Sequence, residues 1–331
     1  MSIPVMAFFN NKGGVGKTSL VYHVAWMMSD LGLRVVAADL DPQGNLSTAF
    51  LDEDRLEELW TGSPPLATIY GSVRPLQRGV GDLTGPYLEE IGDNLALIVG
   101  DMGLSRFEED LSQVWPKCLD RDERSFRVIS AFWRVLQKGA TMHHAQVILV
   151  DLGPNLGAIN RSALIASDFV VIPLGPDLYS LQGLRNLGPA LRAWRQGWQD
   201  RLTKNPDPDL LLPDGQMQPL GYIIMAHSTR SGQPVKAYER WIARIPDTYH
   251  TDVLHEKNRE TPSAADDPHC IAMLKHYRSL MPMAQEVRKP IFHLKPADGA
   301  IGSHYGGVQD AYQDFKQLTQ KIIARAGIAM P

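Results

Sequence analysis

Residues Asn10 to Ser19 read Asn-Asn-Lys-Gly-Gly-Val-Gly-Lys-Thr-Ser. Gly13, Gly14 and Gly16 let a backbone wrap tightly with its N–H groups turned inward, and Val15 and Ser19 complete the wrap. Lys17 adds a fixed positive charge, and Thr18 a hydroxyl suited to Mg²⁺. Together these residues make a cradle for a polyphosphate at the start of a helix. The general pattern places a glycine at the position held here by Asn11, and a second lysine, Lys12, stands beside it. Two lysines in one phosphate loop suggest that one serves something other than its own subunit's nucleotide.

The cradle needs a strand before it and a helix after it. Ile3 to Phe9 is an apolar run of strand length, as in a buried parallel strand. Leu20, Val24, Met27 and Met28 then recur at helical spacing. Hydrolysis also requires carboxylates that hold Mg²⁺ and orient a water. The apolar run Val147 to Val150 ends in Asp151, which a strand end would carry to the phosphate edge of the sheet. The strand Arg34 to Leu40 leads into Asp39 and Asp41, so these acids belong near the phosphates too, as ligands of metal or of metal-bound water. The metal candidates are therefore Thr18, Asp39, Asp41 and Asp151.

Further elements alternate along the chain. Strands are expected at Leu95 to Val99, Phe169 to Ile172, Leu220 to Met225 and Pro290 to Leu294. Helices are expected at Leu104 to Val114, Phe126 to Leu136, Leu181 to Trp198, Val235 to Ile245, Ile271 to Leu280 and Asp310 to Arg325. Residues 46–94 mix helix-like pieces with turns and resist placement. Thr203 to Pro219, rich in Pro and Asp, reads as a surface loop or insertion. Such alternation predicts a doubly wound, mostly parallel α/β sheet flanked by helices, within one domain over 1–331.

Composition narrows the classes. The 331 residues are 44% hydrophobic and 21% charged, ordinary for a globular chain. No apolar run reaches about 18 residues, and the chain opens on a core strand without a leader pattern, so a cytoplasmic location is expected. Cys118 and Cys270 have no metal-ligand spacing, and the histidines, His250 and His255 among them, show no matching acidic partners. Net charge is −4, yet residues 271–331 carry eight Lys/Arg against four acids. A basic C-terminal segment on an acidic body is a candidate polyanion-facing surface.

The ordered motifs resemble the ParA/MinD family of deviant P-loop ATPases. They are Lys12-Gly-Gly-Val-Gly-Lys-Thr18, Asp39-Leu-Asp-Pro-Gln-Gly-Asn45, Val150-Asp-Leu-Gly-Pro154, and Asp168-Phe-Val-Val-Ile-Pro173 followed by Ser180-Leu-Gln-Gly-Leu184. The resemblance covers about residues 1–190 and is closer to ParA than to MinD. It implies ATP and ADP as ligands, with Gly13 to Ser19 supplying backbone phosphate contacts. Lys12 would reach across a dimer interface to the partner's nucleotide, and Lys17 would contact the β- and γ-phosphates. Thr18 would meet Mg²⁺, Asp151 would hold it through water, and Asp41 would orient the attacking water. It further implies an ATP-bound homodimer, non-specific DNA as matrix with a possible nucleoid association, and a ParB-like or cargo-adaptor protein that stimulates slow hydrolysis.

The chain also departs from the family. Gly153-Pro154 stands in place of Pro-Pro, and Met225-Ala-His227 leaves adenine recognition unassigned. The P-loop strand begins at Ile3, so operator binding through a preceding helix-turn-helix is not expected. Two other functions compete. A MinD-like membrane switch would use Tyr312, Phe315, Leu318 and Ile322 with Lys316, Lys321 and Arg325, although docking of that stripe on the fold is the expectation. A regulatory ATPase of a multigene system, such as defence, would act on a protein partner. An iron-protein-like reductase lacks its cysteine, since none occurs between Asp151 and Cys270.

Overall fold

Along Val5–Phe8 (β1) successive side chains enter opposite layers: Val5 and Ala7 join one core, Met6 and Phe8 the other. Both faces of the strand are therefore covered, as a central parallel strand requires. The computed structural model describes residues 2–62, 66–227, 229–230, 233–234, 236–256, 262–277 and 279–330. Val235, Arg278 and Pro331, which belong to the expected helix and basic segment, lie outside them.

The other strands are β2 (Val35–Asp39), β3 (Glu89–Gly92), β4 (Leu95–Ile98), β5 (Val147–Asp151), β6 (Phe169–Leu174), β7 (Gln218–His227) and β10 (Cys270–Lys275). A separate ribbon pairs β8 (Thr229–Arg230) with β9 (Gln233–Pro234). The main sheet runs β10-β7-β6-β1-β5-β2-β4-β3, parallel except at the β3 edge. This is the doubly wound architecture that the sequence predicts.

On one face lie α4 (Ile69–Gln77), α5 (Phe107–Lys117), α6 (Glu123–Ile129), α7 (Ala131–His143), α8 (Ala158–Ile165), α9 (Leu178–Leu202), α10 (Lys236–Ile242) and α11 (Ile245–Thr248). The other face carries α1 (Lys17–Asp30), α2 (Asn45–Phe50), α3 (Glu53–Thr61), α12 (Leu280–Glu286) and α13 (Ser303–Arg325).

Several expectations need correction. Ile271 to Leu280 is not a helix. It begins as β10, where Ile271 and Leu274 are buried at a helix-like spacing of three within an irregular ladder on β7. Pro290 to Leu294 is not a strand but a 3₁₀ turn at Ile291–His293, outside the sheet. The expected Phe126 to Leu136 helix is two helices broken at Ser130, and β2 ends at Asp39, leaving Asp41 in the following turn. Within Thr203 to Pro219, Gln218 and Pro219 already belong to β7. The remainder is fastened to the core, with Leu210 and Met217 buried and Trp198 Nε1 donating to the Pro213 carbonyl at 2.8 Å.

The C-terminal helix is docked. Phe315, Leu318 and Ile322 are buried against α1 and the sheet. His250 has acidic partners after all: Glu256 at 2.7 Å and Asp267 at 3.2 Å. Among the described residues no helix is long and apolar enough to cross a membrane.

Candidate functional site

Strands β1, β5 and β2 are neighbours, and their C-terminal ends deliver the loop, Asp151 and the Asp39–Asp41 turn to one edge. The register fixes this: Phe8 pairs with Asp151, and Asp151 with Asp39. In the loop Gly14 and Gly16 take left-handed φ values of 72° and 87°, which side-chain-bearing residues resist. Asn10 anchors it from below, its Nδ2 donating to the Pro173 carbonyl at 2.8 Å and its Oδ1 accepting the Lys12 N–H at 3.0 Å. α1 then starts at Lys17 with no side-chain cap, so its first N–H groups face the cradle.

The loop opens on a cavity of about 570 Å³. Gly13, Gly14, Gly16, Lys17, Thr18 and Ser19 line it together with Asp41. Val15, the remaining loop residue, is buried behind them. Lys17 is buried too, with its Nζ resting 3.2 Å from the Lys12 carbonyl. Burial lowers the pKa of Lys17 from its ordinary value, while the charges of Asp151 and Asp41 push back.

Thr18 Oγ1 donates to Asp151 Oδ2 at 2.7 Å. Asp151 Oδ1 is buried with no hydrogen-bond partner. Burial drives the Asp151 pKa up, and Asp39 and Asp41 add to the rise. A buried carboxylate with an orphaned oxygen, beside a hydroxyl and a second acid, is a donor set suited to a cation. The residues therefore fit Mg²⁺, with Thr18 and Asp151 as the groups that would hold it.

Asp41 lies across from the loop after β5: a Cβ at Gly153 would stand 3.2 Å from its Oδ1. That oxygen also accepts the Gln43 N–H at 3.0 Å. Asp39 behaves differently. Its Oδ2 accepts from both Ser47 N and Ser47 Oγ at 2.8 Å, and its Oδ1 from Asp41 N at 3.2 Å. Both oxygens accept hydrogen bonds from the turn, so Asp39 braces it.

Lys12 is separated from Lys17. It lines a small cleft on the far side of the loop with Gly175, Pro176 and Asp177, not the main cavity. Its ammonium forms an ion pair with Asp177, and the Tyr179 ring lies 6.0 Å away. Sequence reading missed Asp177, although Asp177 to Ser180 has the form of a helix cap. It also missed α12, whose Met281, Ala284 and Gln285 line the main cavity.

Residues 3–204 match the AAA domain family (AAA_31). Curated relatives include the chromosome partitioning protein ParA of Myxococcus xanthus, 28% identical over 58% of this chain and 59% of that protein. The sporulation initiation inhibitor protein Soj of Bacillus subtilis is also 28% identical, over 55% of this chain and 62% of that one. The chain spans less than two thirds of the length of these relatives. Among solved structures, a Corynebacterium diphtheriae protein superposes with a TM-score of 0.72 at 22% identity, covering 98% of both chains. Cyanothece McdA in complex with ATP gives 0.64 at 15% identity, covering 100% of this chain and 98% of the other.

Proposed function

Because this chain belongs to the ParA/MinD family of AAA-domain P-loop ATPases, we propose that it is a nucleotide-gated positioning ATPase whose ATP state is a homodimer that binds DNA non-specifically. The observation that carries this reading is the division of labour between the two lysines. Lys17 enters the nucleotide cavity, whereas Lys12 stands outside it in the neighbouring cleft. A lysine so placed can reach a phosphate brought by a second subunit, and it would bind the ATP state better than the ADP state.

In this reading the loop amides and Lys17 hold the β- and γ-phosphates. The base lies against Met281, Ala284 and Gln285 in the same cavity. Asp41 orients the attacking water from the turn after β2. Thr18 and Asp151 would hold Mg²⁺, which would supply charge neutralisation on the phosphates. Hydrolysis removes the group that Lys12 holds in trans, and the subunits part. A protein partner that stimulates turnover completes the cycle.

Sedimentation velocity with a non-hydrolysable ATP analogue tests the central step. Wild type should shift to a dimer, and Lys12→Ala should bind nucleotide yet stay monomeric. A Lys12→Ala variant that dimerises normally removes the trans role. The family's DNA property is tested separately, by salt-sensitive binding of an arbitrary duplex in ATP.

A further inference from the structure

Asp41 lies past the end of its strand, so the sheet does not place it. The last bond on this side of the ladder runs from the Leu40 N–H to the Asp151 carbonyl at 3.0 Å. Beyond it, the backbone of Asp41 is held within the turn. Its N–H donates to Asp39 Oδ1 at 3.2 Å, and its carbonyl accepts the Gly44 N–H at 2.9 Å. Asp39 is thus the hub of the turn, and its own placement comes from further along the chain.

Two residues fix it. Ser47, in α2, donates to Asp39 Oδ2 from both N and Oγ at 2.8 Å. The same hydroxyl oxygen accepts the Gly100 N–H at 2.8 Å, from the chain just beyond β4. Gly100 also packs against the carboxylate: a Cβ there would stand 2.8 Å from Asp39 Cγ and Oδ2, closer than a side-chain carbon approaches. Gly100 is held in turn, since its carbonyl accepts Trp60 Nε1 at 2.9 Å. Asp39, Ser47 and Gly100 are all buried, so water does not compete for these bonds.

We propose that Ser47 and Gly100 are positioning residues for hydrolysis: through Asp39 they set the backbone of Asp41, and with it the carboxylate that orients the attacking water. The proposal rests on the water-orienting reading of Asp41 above and names what holds that residue in place. In-line attack tolerates little displacement, and a misplacement of about 1 Å costs roughly 100-fold. Nucleotide binding is a separate matter. Neither Ser47 nor Gly100 lines the nucleotide cavity, so the phosphate loop and Lys17 hold ATP without them. The signature is therefore a loss in kcat with KM for ATP unchanged.

The test is hydrolysis of γ-labelled ATP at saturating Mg²⁺, in steady state and in single turnover, by Ser47→Ala and Gly100→Ala. The first removes the hydroxyl between Asp39 and Gly100. The second keeps every bonding group and pushes on the carboxylate. Each should lower kcat roughly tenfold with KM within about twofold of wild type. Ser47→Ala only removes an atom, so it carries the test alone if Gly100→Ala does not fold. The control is Ser130→Ala, which removes an equally buried hydroxyl that donates to the Phe126 carbonyl at 2.7 Å between α6 and α7. It should turn over ATP as wild type does. The decisive readout is a double-mutant cycle: in an Asp41→Ala background, Ser47→Ala should cost nothing more, because its effect passes through Asp41. A full further loss in that background, an unchanged kcat in Ser47→Ala, or an equal loss in Ser130→Ala overturns the positioning role and leaves Asp41 standing. Normal turnover by Asp41→Ala overturns the underlying reading as well.

Discussion

Lys12 and Asp177 face each other across the cleft between the phosphate loop and α9, and one carboxylate serves both elements. Asp177 Oδ2 takes the Lys12 ammonium, while its Oδ1 accepts the Ser180 N–H at 2.9 Å and caps the helix. The lysine lowers the Asp177 pKa against the cost of partial burial. In this arrangement Lys12 is held by its own chain, and any partner must compete with Asp177 for it.

Separating the two duties of Asp177 tests that competition. Asp177→Asn keeps a capping oxygen and removes the charge, so it should cost little stability and lower the protein concentration needed for ATP-dependent dimerisation. Asp177→Ala should lose about 1 kcal/mol more through the lost cap. The pair is about one third exposed, so its own contribution to stability is small. Urea melts with sedimentation at several concentrations distinguish these outcomes; an unchanged dimerisation threshold in Asp177→Asn argues against the competition.

The phosphate end yields a graded series. Lys17→Ala should abolish nucleotide binding, measured by fluorescent-ATP titration. Asp41→Ala should bind ATP but fall at least about 100-fold in turnover, as for loss of a water-orienting group. Normal turnover in that variant would remove Asp41 from its role.

His23 gives a pH dependence. Its Nδ1 lies 2.6 Å from the Ser19 carbonyl, and its Nε2 accepts the Ile291 N–H at 3.2 Å, so the folded ring is neutral. Burial pushes its pKa down to about 4, with the nearby His293 acting in the same direction. A histidine lowered in the folded state is fully stabilising above its unfolded pKa and loses that contribution as pH falls toward the folded value. Between pH 7 and pH 5 the loss should be about 2 kcal/mol. Denaturant midpoints for wild type and His23→Gln at the two pH values should converge at the lower one.

Glu108 predicts a stability effect far from any ligand. Its two oxygens accept the Ala158 and Ile159 N–H groups at 2.5 and 2.8 Å, capping α8 from α5. Glu108→Ala should cost about 2 kcal/mol, and Glu108→Gln, which keeps one acceptor, about half that. Thermal melts of the two variants would check the order.

What could be read from the chain alone followed the range of the interaction. The cradle from Gly13 to Ser19 is local, because its conformation is set by the glycines themselves, and Asp151 follows from a strand ending in an acid. Asp177 could not be paired with Lys12 in advance, since nothing near either residue names the other across 165 positions. α12 was invisible as a cavity wall for the same reason. β10 misled because edge-strand burial at Ile271 and Leu274 imitates helical spacing. Asp39 and Asp41 look equivalent in sequence, and only Ser47, eight residues beyond Asp39, distinguishes the brace from the acid that lines the cavity.

The loop from Asp151 to Ala158 is held at both ends, by Thr18 at one and by Glu108 at the other. Asn160 adds a tie to the Gly153 and Asn155 carbonyls at 2.9 and 2.7 Å. A span with two fixed abutments can bow but cannot swing. Its crest is Leu156, an exposed apolar side chain between the anchors. A change at the Thr18–Asp151 end would then reach the surface as a rise or fall of one hydrophobic point, a displacement that a neighbouring molecule would feel without touching the nucleotide.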